Sequence, residues 1–193
     1  MEHPEAMVYV DGEVVDAAHA RISVFDRGFL YGDSVFESMR TYGARPFKLR
    51  EHLERLIGSA DGIHLELPLD EAGLRGVAQD VVDACRERWP DREVVLRIVV
   101  TRGAGAVGLD TDLATEANLV VIGRPLSRLP EAYYTDGVPL VVSRVRRNAA
   151  RALAPHLKTG NYLVNMMALH EARQRGGFEA VMLNARGRIT ECT

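Results

Sequence analysis

Lysine is almost absent from this chain. Among 193 residues only Lys48 and Lys158 are lysines, against twenty-two arginines. Cysteine is equally scarce: Cys85 and Cys192 are the only two, which excludes a disulfide framework and suits a reduced, cytoplasmic protein. A strong charge of either sign is missing too. With a formal net charge of −3 and a pI near 6.1, nothing attracts the chain to nucleic acid or to an anionic membrane. No apolar run approaches a membrane span, and Met1–Met7 lacks the cationic start and apolar stretch of a signal peptide. The six histidines are scattered without ligand spacing, so no metal site is expected, and no serine-nucleophile motif is present. What remains is a chain with 47% hydrophobic residues, enough to build one domain or two small ones.

That scarcity singles out the two lysines. Arginine stays protonated in proteins, whereas a lysine amine can be held neutral and can then attack an aldehyde to form a Schiff base. A solvated surface lysine is the ordinary alternative at either position. Lys158 lies in His156-Leu-Lys-Thr-Gly-Asn-Tyr162, just ahead of a run in which Leu163, Met166, Met167, Leu169 and Ala172 recur at helical spacing before Gly176-Gly177. Phe178–Asn184 then predicts a strand, Ala185–Arg188 a turn, and Ile189–Glu191 a second strand. The pattern of Lys158, Asn161 and Tyr162 followed by Ile189-Thr-Glu191 resembles class IV pyridoxal-phosphate enzymes, the family of branched-chain and D-amino-acid aminotransferases.

Earlier in the chain, Met7–Val10 and Glu13–Val15 predict a hairpin around Asp11-Gly12, a pair suited to a tight primed turn. Asp26-Arg-Gly-Phe-Leu-Tyr-Gly-Asp33 leads into Ser34–Thr41, a predicted strand with Phe36, Ser38 and Arg40 on one face and Val35, Glu37 and Met39 on the other. Arg40 beside Phe36 suits an anion-accepting, partly apolar pocket; an edge strand with an exposed arginine fits equally. The stretch D-R-G-F-x-Y-G-x-x-V-F-E is similar to an N-terminal signature of the same family. A short strand over Pro46–Leu49 precedes a helix over Arg50–Ile57, whose stripe of Leu49, Leu53, Leu56 and Ile57 leaves Arg55 outside it. A second helix runs from Leu69 to Trp89, with Asp70 as N-cap and Pro90 closing it. Glu93–Thr101 predicts a strand in which Arg97 shares a face with Val95 and Val99. A mid-strand arginine needs an anion, a bend or a solvated sheet face. Arg102–Asp110 is glycine-rich but has neither a phosphate-loop ending nor a dinucleotide fingerprint, and predicts a connection to a strand over Asn118–Ile122. Gly123–Pro130, with two prolines, marks the domain boundary. Strand character resumes over Val138–Ser143, and the basic stretch Arg144–Arg151, without interleaved aromatics, reads as the loop that delivers Lys158.

The resemblance implies an α+β, two-domain fold type IV enzyme. A small N-terminal α/β domain would span residues 1–123, a linker 124–135, and the first part of a larger pseudo-barrel α/β domain 136–193. It implies pyridoxal 5'-phosphate as cofactor, with Lys158 as Schiff-base lysine and proton shuttle, Arg55 on the phosphate, Tyr162 on the ring oxygen and Glu191 on the pyridine nitrogen. Tyr31, Phe36, Arg40 and Arg97 would shape the substrate pocket, Arg97 taking the distal carboxylate of glutamate or 2-oxoglutarate. Lys48 has no implied role. The implied activity is ping-pong transamination of an amino acid, first of all a branched-chain L-amino acid, with 2-oxoglutarate, by a homodimer. The R-G-x-G-x-x-G-L-D stretch is similar to branched-chain members. D-amino-acid aminotransferase and aminodeoxychorismate lyase are the alternatives within the family. The chain departs from the family where it stops: Glu191-Cys-Thr193 stands where members continue, and Cys192 where glycine or alanine is usual. A fragment, or an incomplete sequence, is the expectation, with a non-catalytic fragment as the competing reading.

Overall fold

The computed structural model describes residues 4–114, 116–149 and 151–193. Residues 1–3 of the N-terminal stretch, Thr115, and Ala150 of the arginine-rich stretch lie outside the described residues. The chain divides into two compact units. One runs to Leu126 and includes Leu157–Gly160; the other consists of Ser127–His156 and Asn161–Thr193.

The first unit contains β1 (Met7–Val10), β2 (Glu13–Asp16), α1 (Arg27–Tyr31), β3 (Ser34–Tyr42), β4 (Arg45–Pro46), α2 (Leu49–Gly62), α3 (Glu71–Arg88), β5 (Val94–Thr101) and β6 (Asn118–Pro125). Its strands form an antiparallel sheet in the order β2-β1-β6-β5-β3-β4. The alternation in β3 and β5 decides which face is covered. Val35 and Met39, with Leu96, Ile98 and Val100, point toward α2 and α3 and are buried there with Leu53, Leu56, Leu74 and Val81. Each such side chain contributes about 1.5–3 kcal/mol by leaving water, so this layer is the principal core of the unit. The opposite face carries Phe36, Ser38, Arg40 and Arg97, with a small cluster of Ala6, Val8 and Val10 farther along.

Several boundaries differ from the sequence reading. The strand expected over Pro46–Leu49 is only Arg45–Pro46, because Lys48 adopts φ 53° and turns the chain into α2. That helix continues past Ile57 to Gly62. The five-residue α1 is capped by Asp26, whose side chain accepts the Gly28 N–H at 2.7 Å; it is too short to show a period. β6 runs through Gly123 to Pro125, beyond the strand expected to end at Ile122. Gly123 lets α3 lie close to the sheet, since a Cβ there would sit 2.6 Å from the Cys85 sulfur.

The second unit contains α4 (Ala132–Thr135), β7 (Leu140–Arg146), α5 (Leu163–Gln174), β8 (Glu179–Leu183) and β9 (Ile189–Cys192). β7 and β8 are parallel, with α5 as their crossover, and β8 pairs antiparallel with β9. Arg144–Arg146, expected in a loop, are the last residues of β7. Ala168 and Ala172 of α5 pack on Ala180 and Met182 of β8. No helix among the described residues is long and apolar enough to cross a membrane.

Candidate active site

Lys158 is fixed by its backbone to the first unit. Its carbonyl accepts the Phe36 N–H at 2.9 Å, and the Gly160 N–H donates to the Ser34 carbonyl at 2.9 Å. The segment thus forms a one-bridge antiparallel pair with the start of β3, Thr159 opposite Val35. From the helix side, Ser59 of α2 accepts the Lys158 N–H at 3.1 Å. Leu157 lies against Gly62, where a Cβ would come within 2.4 Å of its side chain. The Lys158 ammonium sits 4.5 Å from the centre of the Phe36 ring, and the Arg97 guanidinium 3.7 Å from the same centre. Cations over an aromatic face are attracted by its quadrupole, so Phe36 gathers two of the predicted site residues around one ring.

Arg55 projects from α2 onto Glu37. Its Nη2 donates to one carboxylate oxygen at 2.6 Å while its Nε donates to the other, and His52 Nδ1 lies 2.7 Å from the same group. Glu37 is completely buried, yet sits on a strand face otherwise occupied by Val35 and Met39. Burial by itself would raise the Glu37 carboxyl; the hydrogen bonds from Arg55 and then His52 outweigh it and hold the group below the usual carboxylate range. A two-point carboxylate contact fixes the plane of the Arg55 guanidinium.

The D-R-G-F-x-Y-G-D stretch works mainly on its own loop. Arg27, 3% exposed, donates to Asp33 at 3.1 Å and to the Gly108 carbonyl at 2.9 Å. Arg102 donates to Asp33 at 2.7 Å and to the carbonyls of His64 and Ile63. Burial opposes ionisation of Asp33, but Arg102 and Arg27 prevail and hold its carboxyl low. Tyr31 belongs to this network, its hydroxyl accepting the Gly108 N–H at 3.0 Å. Arg40 is turned along its own strand, donating to the Thr41 carbonyl at 3.2 Å with its guanidinium 4.1 Å from the Tyr42 ring centre.

Tyr162 and Glu191 belong to the second unit. Tyr162 is the N-cap residue of α5. Glu191, in β9, forms an ion pair with Arg147 and lies 3.5 Å from the Asn165 amide. Arg147 follows directly after β7. Sequence reasoning missed Ser59, Glu37, His52 and Arg147. Glu37 alone left a signal, as an acidic residue on an apolar strand face.

The donor set suits an aldehyde that carries a phosphate. A lysine amine can hold a carbonyl carbon, and a guanidinium with a fixed plane can take a dianion. Lys158 and Arg55, both in the first unit, fit pyridoxal 5'-phosphate. Among the described residues no three His, Cys, Asp or Glu side chains gather in a way that could hold a metal ion.

Comparison with known proteins gives the same direction. A family model described as amino-transferase class IV matches residues 34–193. A putative branched-chain-amino-acid aminotransferase of Methanocaldococcus jannaschii is 34% identical over 186 residues, 96% of this chain and 62% of that protein. A D-alanine aminotransferase of Bacillus licheniformis is 28% identical over 186 residues with the same coverage, 96% and 62%. Among solved structures, the branched-chain aminotransferase of the thermophilic archaeon Thermoproteus uzoniensis with norvaline is similar with a TM-score of 0.85 at 30% identity, over 96% of this chain and 62% of that chain. The chain therefore spans 62% of the length of the curated relatives it matches.

Proposed function

The chain belongs to the class IV aminotransferases, and from that premise we propose that it serves an enzyme moving an amino group between an amino acid and a 2-oxo acid. The observation that carries the reading is the clamped Lys158, reached from both β3 and α2, with Arg55, its plane fixed by Glu37, one turn before the Ser59 that accepts the Lys158 N–H. Pyridoxal 5'-phosphate, when bound, supplies an electron sink for the charge left on the substrate Cα. The rest falls to the protein. Lys158 Nζ would hold the aldehyde end of the group and, when free, would take and return a proton at Nζ. Arg55 would hold the phosphate, Tyr162 would donate to the ring oxygen, and Glu191, ion-paired with Arg147, would face the pyridine nitrogen. Phe36, Arg97, Tyr31 and Arg40 define the substrate side, Arg97 meeting a distal carboxylate.

A branched-chain L-amino acid with 2-oxoglutarate is the first substrate pair, supported by the R-G-x-G-x-x-G-L-D stretch and the similarity to the Methanocaldococcus protein. D-Alanine is the second, supported by the Bacillus relative. A homodimer is the proposed assembly. The deciding experiment mixes the purified chain with pyridoxal 5'-phosphate, reduces with borohydride and maps the adduct by mass. A visible band fixed at Lys158, absent from Lys158→Ala, is the expected result. A colourless folded protein, or an adduct confined to Lys48 and the N-terminus, overturns the reading. L-Valine and D-alanine, each with 2-oxoglutarate, then separate the two substrate assignments.

A further inference from the structure

We propose that Ser59 is a positioning residue that couples the phosphate-binding arginine to the reactive lysine; the inference rests on the aminotransferase reading above. Ser59 is 2% exposed, in the last turns of α2. Its hydroxyl donates to the Arg55 carbonyl at 2.8 Å and accepts the Lys158 N–H at 3.1 Å. One oxygen therefore joins the main chains of two residues far apart in sequence, one reaching the aldehyde and the other the phosphate of the same ligand. A hydroxyl that donates and accepts at once polarises both bonds in one direction, so each strengthens the other. Alanine would favour the helix more than serine does, and would keep the site dry, but would leave the Lys158 N–H without this acceptor.

The surrounding contacts make the link rigid. The Arg55 side chain is held on Glu37, and the Lys158 carbonyl is held on Phe36, the neighbouring residue of β3. Leu157 seats on Gly62, three positions beyond Ser59 on α2. Residues 36–37 of the strand and 55–59 of the helix thus grip both anchors, with Ser59 as the bridge on the helix side. Its effect falls on the spacing between amine and guanidinium. A ligand carrying both aldehyde and phosphate depends on that spacing, whereas an aldehyde without phosphate engages Lys158 alone.

The test compares pyridoxal 5'-phosphate with pyridoxal on the wild-type chain, Ser59→Ala and Ser59→Thr. Binding is followed by visible absorbance and by borohydride trapping mapped to Lys158, with thermal unfolding measured alongside. Ser59→Ala is expected to weaken the phosphate-bearing ligand about tenfold, equivalent to about 1.4 kcal/mol, and pyridoxal much less. Ser59→Thr, which keeps the hydroxyl, restores the difference. A Ser59→Ala protein that binds both ligands as the wild type does, or loses both equally, overturns the coupling, since a merely structural role would move the two together. Should Ser59→Ala not fold, hydrogen exchange at the Lys158 amide of the wild type decides: protection supports the bond, and exchange at the free rate overturns it. Failure of the wild type to trap pyridoxal 5'-phosphate at Lys158 would instead sink the aminotransferase reading itself.

Discussion

Glu37 shows how one charge can be kept inside an apolar layer. Its carboxylate has no exposed surface, and Arg55 and His52 together satisfy it. Glu37→Gln should cost about 1–3 kcal/mol near neutral pH, limited because Arg55 is half exposed and regains water. The folded carboxyl titrates below its unfolded value. Its stabilisation is therefore present above the unfolded value and lost as pH falls through the folded one. Urea unfolding of both proteins should show their difference shrinking steadily below pH about 4; a constant difference would contradict the role given to the charge. The cysteines offer a second check. Cys85 is buried, and burial pushes its thiol up to about 11, while Cys192 is exposed. Ellman's reagent should titrate Cys192 in the native chain and reach Cys85 only after denaturation. Lys158 and Arg55 could be picked out from residue type and motif. Ser59 and Arg147 could not, because a hydroxyl on a backbone amide 99 positions away leaves no local pattern.

Two glycines test how elements are joined. Gly12, in the β1–β2 turn, has φ 88° with nothing within 4 Å of where a Cβ would be. Gly103, just after β5, has φ 87°, but a Cβ there would lie 1.8 Å from the Glu116 carbonyl oxygen. Gly12→Ala should cost about 1–2 kcal/mol, the strain of a left-handed backbone alone. Gly103→Ala adds a backbone clash and should cost about 3 kcal/mol or more. Equal losses in chemical denaturation would mean that the Glu116 segment moves aside freely. Elements with a long period were legible before the structure: the Asp-Gly hairpin, α3 with its Asp70 cap, and the face assignments of β3 and β5. α1 and the true end of β4 were not. Five residues hold little more than one helical turn, and the switch at Lys48 depends on a backbone angle that composition does not announce.

At the scale of the whole chain, carboxylates are held low in both units. Asp33 and Glu37 lie in the first; Glu171 lies in the second, brought to about 2 by the Ser143 hydroxyl, the Arg144 N–H and Arg175. All three lie below their unfolded values, so the unfolded chain binds protons first as the medium is acidified. Stability should be nearly level from pH about 7 to about 5 and fall continuously below that; a rise on acidification would refute the assignment. Strand and helix periods marked the individual elements of the first unit, but the return of Leu157–Gly160 to it left no such mark, for a tetrapeptide shows no period.

That return also imposes an order in time. Residues up to Leu126 leave the ribosome before Leu157–Gly160 exist, so the strands and helices of the first sheet can associate while the edge of β3 still awaits the Lys158 carbonyl. Closing so long a loop comes late, because its entropy must be met before its few bonds repay it. Pulse-labelled exchange during refolding should find the Phe36 amide protected after that of Ile98. The nascent chain therefore gains the Lys158 segment only after the sheet it docks on has been made, so the backbone clamp around that lysine is a late acquisition.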